Sequence, residues 1–262
     1  MSDPIDGLRP RSVQRYGWVP DVPDNRDLMF SAPATVMATL PPSADLRSGC
    51  PPVYDQGQLG SCTANAIGAA FEFDQKKQGL GDFMPARLFI YYNERAIEGT
   101  IGSDSGAMIR DGMKTLNKLG VCPESDWPYD IAEFRSKPTK ECYTNAATHQ
   151  ALVYNSVLQD LHQLQGCLAA GYPVVFGFSV YESFESADVA RTGVVPLPKK
   201  GEKQLGGHAV LAVGYDDADQ TFWVRNSWGA GWGKAGYCKM PYAYLTSRGL
   251  ASDFWVLYTV ER

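Results

Sequence analysis

An α+β fold in two lobes is what this sequence predicts, and three observations predict it. Between about residue 61 and residue 120, apolar side chains recur three and four positions apart, the period of helices. From Val174 onward the apolar runs are short, β-branched or aromatic, and bounded by Gly, Asp and Pro, the pattern of strands. The helical part precedes the strand part instead of alternating with it, which separates α+β from α/β. A chain of 262 residues suits one large domain or two lobes sharing a core.

Taken in order, residues 1–43 come first. They hold seven of the 17 prolines and no sustained apolar period. Proline fixes φ and removes a backbone donor, so this stretch reads as an extended, irregular extension. It also carries Tyr16, Trp18, Leu28, Met29 and Phe30, which a free linker seldom needs, so it is expected to lie against the body. A first helix runs from Ser61, a candidate N-cap, to Gly79, a candidate C-terminal stop, with Ala66, Ile67, Ala70 and Phe71 on one face. Its many small residues predict close packing on several sides. A second helix opens at Pro85 and carries Leu88, Tyr92 and Ile97 or their neighbours inward; a third runs from near Ser105 to Leu119, with Ile109, Met113 and Leu116 inward and Gly120 as its stop. One more helix spans about 156–170, marked by Val157, Leu161, Leu164 and Leu168 and closed by Gly171. Strands follow at Val174–Val180, His208–Tyr215, Thr221–Asn226, Gly236–Met240 and Phe254–Val260. Asp216 to Asp219 reads as a solvated hairpin turn; it lacks the Gly and terminal Glu of a calcium-binding loop.

Composition narrows the function. Lys and Arg number 24 against 29 Asp and Glu, a net charge of −5. A mildly acidic chain makes a poor binder of nucleic acid, and the short basic runs Lys76–Lys77 and Lys199–Lys203 read as solvated surface. No stretch of 18 apolar residues predicts a membrane span. Met1 to Asp6 lacks a basic region followed by an apolar one, so no secretory signal is expected, leaving cytoplasm and unconventional export both open. The six cysteines (50, 62, 122, 142, 167 and 238) are too sparse for a disulfide scaffold and form no zinc-ligand spacing. Three disulfides, or two with two free thiols, fit the even count. No metal or organic cofactor is implied.

Four residues stand out chemically. Cys62 sits at the start of the first long helix, where the partial positive charge of a helix N-terminus favours a thiolate. Against this, most cysteines are small buried hydrophobes. His208 opens an apolar strand after Gly206–Gly207, whereas His149 and His162 lie in polar surroundings and read as surface residues. Asn226 ends a strand just before Ser227–Trp228–Gly229; an amide there can orient an imidazole and a Trp can shield that bond. Gln56 lies on a Gly-containing loop six residues before Cys62, and its amide, with the Cys62 backbone N–H, can donate to an oxyanion.

The blocks Gln56–Gly57–Gln58–Leu59–Gly60–Ser61–Cys62, Gly207–His208–Ala209–Val210 and Asn226–Ser227–Trp228–Gly229–Ala230–Gly231–Trp232–Gly233 resemble the catalytic blocks of papain-like cysteine peptidases. His208 falls 146 residues after Cys62 and Asn226 a further 18, in the family's order. The resemblance covers roughly 44–262 and is close to bacterial members with an N-terminal extension. It divides the chain into an extension, 1–43, and a peptidase domain, 44–262. It implies a helical left lobe bearing Cys62, a β-rich right lobe bearing His208 and Asn226, and a cleft between them for a peptide or protein substrate. A Cys62 thiolate would attack the peptide carbonyl, His208 would protonate the leaving amine, Asn226 would fix the ring beneath Trp228, and Gln56 would help bind the oxyanion. Gly106, Gly207 and Trp228 are the expected substrate-side residues. No metal or cofactor takes part.

The departures are specific. Leu59 stands where the family usually has Cys, Thr63 where it has Trp or Tyr, and Gly207 where it often has Asp or Asn. Ser103–Asp104–Ser105–Gly106–Ala107 replaces a Cys-Asn-Gly-Gly segment, so the family's left-lobe disulfides do not carry over. Residues 1–43 can act as an intramolecular inhibitor lying in the cleft, or as plain cladding of the lobes. A Cys-His amidase or transamidase, and a non-enzymatic binding module, are the competing readings; the Asn-Ser-Trp-Gly block and the intact set of Cys62, His208 and Asn226 argue against them.

Overall fold

The first long helix begins at the nucleophile candidate and ends on a glycine, as its sequence requires. The structure, a computed structural model, describes residues 16–260, so the N-terminal hexapeptide and the first part of the predicted extension lie outside the described residues. Elements follow in the order α1 (Ala34–Ala38), β1 (Ser43–Asp45), α2 (Cys62–Lys77), α3 (Arg87–Glu98), α4 (Ile109–Lys118), α5 (Lys140–Ala146), β2 (Ala151–Ser156), α6 (Leu161–Ala169), β3 (Val174–Tyr181), α7 (Ala187–Thr192), β4 (Gln204–Asp216), β5 (Thr221–Arg225), β6 (Tyr237–Pro241), α8 (Tyr242–Thr246) and β7 (Ala251–Val260). This is an α+β architecture, as the sequence predicts: helices α2–α4 form one lobe and an antiparallel sheet dominates the other.

Helix α2 is buried from Cys62 to Gln75, which its run of Ala and Gly permits. Gly79 (φ +67°) ends it; Gly79 N–H donates to Lys76 O and Leu80 N–H to Gln75 O, a paired closure of the last turn. The sheet runs β2-β7-β3-β4-β5-β6, with β1 added to β4. Strand β4 lies between β3 and β5, with Phe178 opposite His208 and Leu211 opposite Arg225. One apolar cluster fills the space between α2–α4 and the sheet; a second joins the sheet to α6, α8 and the Trp228–Trp232 loop. The cleft lies where α2 meets β4.

The structure differs from the sequence reading in several places. Helix α4 starts at Ile109, not near Ser105, because Gly106 takes φ +74° and Ala107 spends its backbone on another segment. Helix α6 starts at Leu161, where Asp160 caps it by accepting from Gln163 N–H; residues 151–156 form β2 instead, paired with β7. Ile97 is half exposed, and Tyr91 and Arg95 fill the inward positions of α3. Ser61 occupies the N-cap position of α2, but its hydroxyl is engaged with Tyr129 and Asn65 and caps nothing. All six cysteines are free, so neither disulfide count holds: Cys62, Cys122 and Cys142 lie in one cluster, Cys167 and Cys238 in the other, and Cys50 packs at the edge of the first. The acidic turn joins β4 to β5 as a hairpin, with Asp216 opposite Thr221. No helix among the described residues is long and apolar enough to cross a membrane.

Candidate active site

Cys62 is the first residue of α2, so its side chain sits over the free N–H groups of the opening turn. Its Sγ also accepts from Ala209 N–H at 3.4 Å, across the gap between the lobes. The thiol is completely buried, and burial pushes its pKa up to about 12 despite N–H groups from Ala209, Gly17 and Thr63 that pull it down. A low-pKa thiolate, expected from the helix N-terminus alone, is therefore not the form favoured here: desolvation outweighs the helix. Thr63 donates to Glu94 (2.8 Å), a fully buried carboxyl that burial holds well above the ordinary range.

His208 enters the cleft from β4. Its Nε2 lies 2.8 Å from Asn226 Oδ1. The same Oδ1 accepts from Ser227 N–H at 2.8 Å, which fixes the amide with its oxygen toward the ring; Nε2 is then the protonated nitrogen and Nδ1 the basic one. Trp228 stacks on the imidazole (5.1 Å between centroids, 29°), and Phe178 meets it edge-on at 5.7 Å. His149 instead packs edge-on against Phe83, and His162 is exposed.

Gln56 ties the lobes together. Its Nε2 donates to Leu59 O (2.9 Å), its Oε1 accepts from Ser227 Oγ (2.6 Å) and its backbone N–H donates to Ser227 O (2.9 Å). One amide N–H is thus committed to Leu59 and a second remains. On the helical side, Asp104 accepts from Gly60 N–H (3.0 Å) and from Tyr91 Oη (2.5 Å), and Tyr91 Oη accepts from Gly106 N–H (3.1 Å). Where the resemblance leads one to look for cysteines, a carboxylate and a phenol link the loop before Cys62 to the loop before α4.

Residues 16–19 lie in this cleft. Ala107 N–H donates to Gly17 O (2.8 Å) and Val19 N–H donates to Ala107 O (3.0 Å), while Trp18 N–H donates to Gly207 O (3.0 Å). Gly207 gives its carbonyl to the segment, and the pairing edge of the helical lobe is Ala107, the neighbour of Gly106, whose own N–H is spent on Tyr91. Trp228 covers His208 instead of lining the segment's path. A Cβ on Gly17 would sit 1.7 Å from Gly60 O, so only glycine fits there. Tyr16 stands edge-on to His208 at 6.3 Å and donates its hydroxyl to Glu185. Beyond the cleft, Asp21 accepts from Arg110 N–H and Trp255 Nε1, and Arg110 pairs with Asp27 at 2.5 Å. Further along, Phe30 and Ala32 pack on the body, whereas Leu28 and Met29, expected to do so, are largely exposed. Sequence reading singled out the Ser103–Ala107 segment as a pairing edge but gave Asp104 no role and missed Tyr91; only the acid at the place of the family's cysteine was a usable signal.

The model of the papain family of cysteine proteases matches residues 40–255. The fold is similar to the crystal structure of xylellain, a cysteine protease from Xylella fastidiosa, with a TM-score of 0.89 and 48% identity over 94% of this chain and 96% of that one. A peptidase C1-like protein of Acanthamoeba polyphaga mimivirus is 42% identical over 94% of this chain and 88% of its own length. Digestive cysteine proteinase 1 of Homarus americanus is 31% identical over 77% of this chain, which spans 62% of that protein's length.

Proposed function

The chain belongs to the papain family of cysteine proteases and is a cysteine peptidase, and from that premise we propose an endopeptidase whose cleft is blocked by its own N-terminal segment. In this reading Cys62 is the nucleophile, His208 its acid and base, and Asn226 the residue that orients the ring. With the cleft open, water and His208 Nδ1 reach Sγ, and the thiol passes its proton to the imidazole. The thiolate attacks the substrate carbonyl carbon. The oxyanion takes hydrogen bonds from Cys62 N–H and the second N–H of Gln56. His208 then protonates the leaving amine as the C–N bond breaks, and water, deprotonated by the same ring, releases the acyl group and restores the thiol. The observation that carries this is the meeting of the two walls: Sγ rests on the N–H of Ala209, beside His208, whose Nε2 Asn226 holds at 2.8 Å.

The block rests on direction and chemistry. Gly17 offers its N–H to Sγ, where a cleavable substrate must offer a carbonyl carbon. The segment pairs with the helical lobe through a parallel bridge between Trp18 and Ala107. It also excludes water from a thiol held protonated by burial.

Hydrolysis of fluorogenic peptides, read beside epoxide labelling of Cys62, tests both parts. Cys62→Ala loses all turnover while folding normally; persistence of activity would remove the nucleophile. Gln56→Ala lowers kcat by on the order of 10²–10³, the scale for one oxyanion donor. Gly17→Leu cannot dock against Gly60, so it raises both kcat/KM and the labelling rate. No change in either would reduce the segment to cladding.

A further inference from the structure

To hold an oxyanion between them, the Cys62 N–H and a Gln56 side-chain N–H must point at one oxygen atom. The direction of each is set by its neighbours. The Cys62 N–H shares a planar trans peptide with the Ser61 carbonyl, which points the opposite way, so whatever holds the Ser61 oxygen aims the Cys62 N–H. Gln56 lies between the Asp55 and Gln56 carbonyls, so whatever holds those two oxygens sets where its side chain starts.

The Ser61 oxygen accepts from Asn65 N–H (3.0 Å) and from Asn65 Nδ2 (2.9 Å). The Gln56 oxygen accepts from Tyr129 Oη (2.9 Å), which also meets Ser61 Oγ at 2.5 Å. Arg87, the first residue of α3, joins the two sides. Its Nη1 donates to Asp55 O (3.2 Å) and to Asn65 Oδ1 (3.0 Å). That nitrogen carries two N–H bonds, one for each acceptor. A single atom thereby ties the peptide that enters Gln56 to the amide that holds the Ser61 carbonyl. The guanidinium is itself held from another side. Nε and Nη2 donate to the two carboxylate oxygens of Glu124, each at 2.7 Å, and the Tyr129 ring centre lies 4.0 Å away. The Arg87 side chain is only 7% exposed. Glu124 alone balances its charge, and the Nη1 bonds add a geometric constraint to that pair.

We propose that Arg87 is a positioning residue for peptide hydrolysis, aligning the Cys62 N–H and the Gln56 amide on one oxyanion through its Nη1. It acts through Asp55 and Asn65, not on the substrate. Lysine cannot stand in for it, because an ammonium on a flexible stem has no planar fork that grips Glu124 with two nitrogens while a third serves two further acceptors. This assignment rests on the peptidase reading and on Gln56 as an oxyanion donor.

The test uses the full chain and compares two reactions of Cys62. Hydrolysis of a fluorogenic peptide amide passes through an oxyanion. Alkylation by iodoacetamide forms a sulfur–carbon bond at a saturated carbon as iodide leaves, and no oxyanion arises. Both need an open cleft, so any change in how often the segment leaves it cancels in their ratio. Arg87→Met keeps an unbranched stem and removes every donor. It is expected to lower the ratio of kcat/KM to the alkylation rate constant by about 10- to 100-fold, up to the scale for loss of one donor, with the fall in kcat and not in KM. Arg87→Lys is expected to lose nearly as much. In Gln56→Ala the same substitution is expected to cost less, because one of the donors it aligns is already gone. An unchanged ratio, whether both rates fall together or neither does, would reduce Arg87 to a strut of the fold and overturn the assignment while leaving the peptidase intact; so would losses that add in full. Arg87→Met strands Glu124. Should it not fold, Asn65→Ala leaves the Arg87–Glu124 pair whole and cuts the link to the Ser61 carbonyl, and the same fall in the ratio is expected. Wild type that shows neither turnover nor alkylation of Cys62 would remove the peptidase reading itself, and this one with it.

Discussion

The two walls of the cleft are held by different means. On the sheet side, His208 is fixed by a backbone ladder: β4 lies between β3 and β5, and Trp228 and Phe178 pack on the ring with Phe184 behind both. On the helical side no ladder reaches the loop before Cys62. Side chains hold it: Asp104 on Gly60 N–H, Tyr91 on Gly106, Gln56 on Leu59 and Ser227, and Tyr129 on Ser61 and the Gln56 carbonyl. A ladder spreads its strength over many bonds, whereas a polar network concentrates it, so single substitutions should act differently on the two walls.

The largest effect is expected on the sheet side. Trp228 is buried and touches His208, Phe184 and Trp232. Trp228→Ala should cost about 3–5 kcal/mol of stability, as for other buried aromatic truncations, along with activity; a denaturant midpoint within error of wild type would show that the ladder alone suffices. A smaller and more local effect is expected opposite. Asp104→Ala strands the Gly60 N–H and the Tyr91 hydroxyl, a loss of about 1–3 kcal/mol. Much of it should appear as a fall of roughly tenfold in kcat/KM, with Asp104→Asn between the two, because the loop it holds carries the nucleophile. Equal kinetics for all three proteins would deny that network any part in placing Cys62.

The smallest effect concerns the segment that spans both walls. Burial, then the nearby Asp253 carboxylate, raises the Asp21 pKa to about 7, against hydrogen bonds from Arg110 and Trp255 and the Arg110 charge. An undocked Asp21 would ionise near its ordinary value of 3.8. Between those two values docking takes up a proton, so docking is strongest at acid pH, weakens as pH rises toward 7 and then levels off. The activity of the full chain should therefore rise severalfold from pH 5 to pH 7.5 relative to Asp21→Asn, measured side by side. A constant ratio of the two proteins across that range would remove Asp21 as the titrating group.

The same contrast explains what could be read in the sequence. Strands β3 to β7 on the sheet side were visible in runs such as His208–Tyr215, because a buried strand writes its apolar period into adjacent residues. Helix α2 was legible for the same local reason, and the Gln56, Cys62, His208 and Asn226 blocks through their resemblance to the catalytic blocks of papain-like peptidases. Strand β2 was not, since Ala151–Ser156 has mixed polarity and acquires its partner β7 from a hundred residues away. The network of Asp104, Tyr91 and Gly60 joins residues 13 and 44 positions apart and leaves no period. The pairing edge fell one residue from Gly106 because the N–H of that glycine was already spent.

All six cysteine sulfurs are thiols, and the loops beside Cys62 are joined by oxygen and nitrogen alone. A reductant strong enough to keep the nucleophile alive therefore has no cross-link in the scaffold to dissolve. Under reducing conditions the redox state of its surroundings therefore bears on the catalyst and leaves the frame untouched.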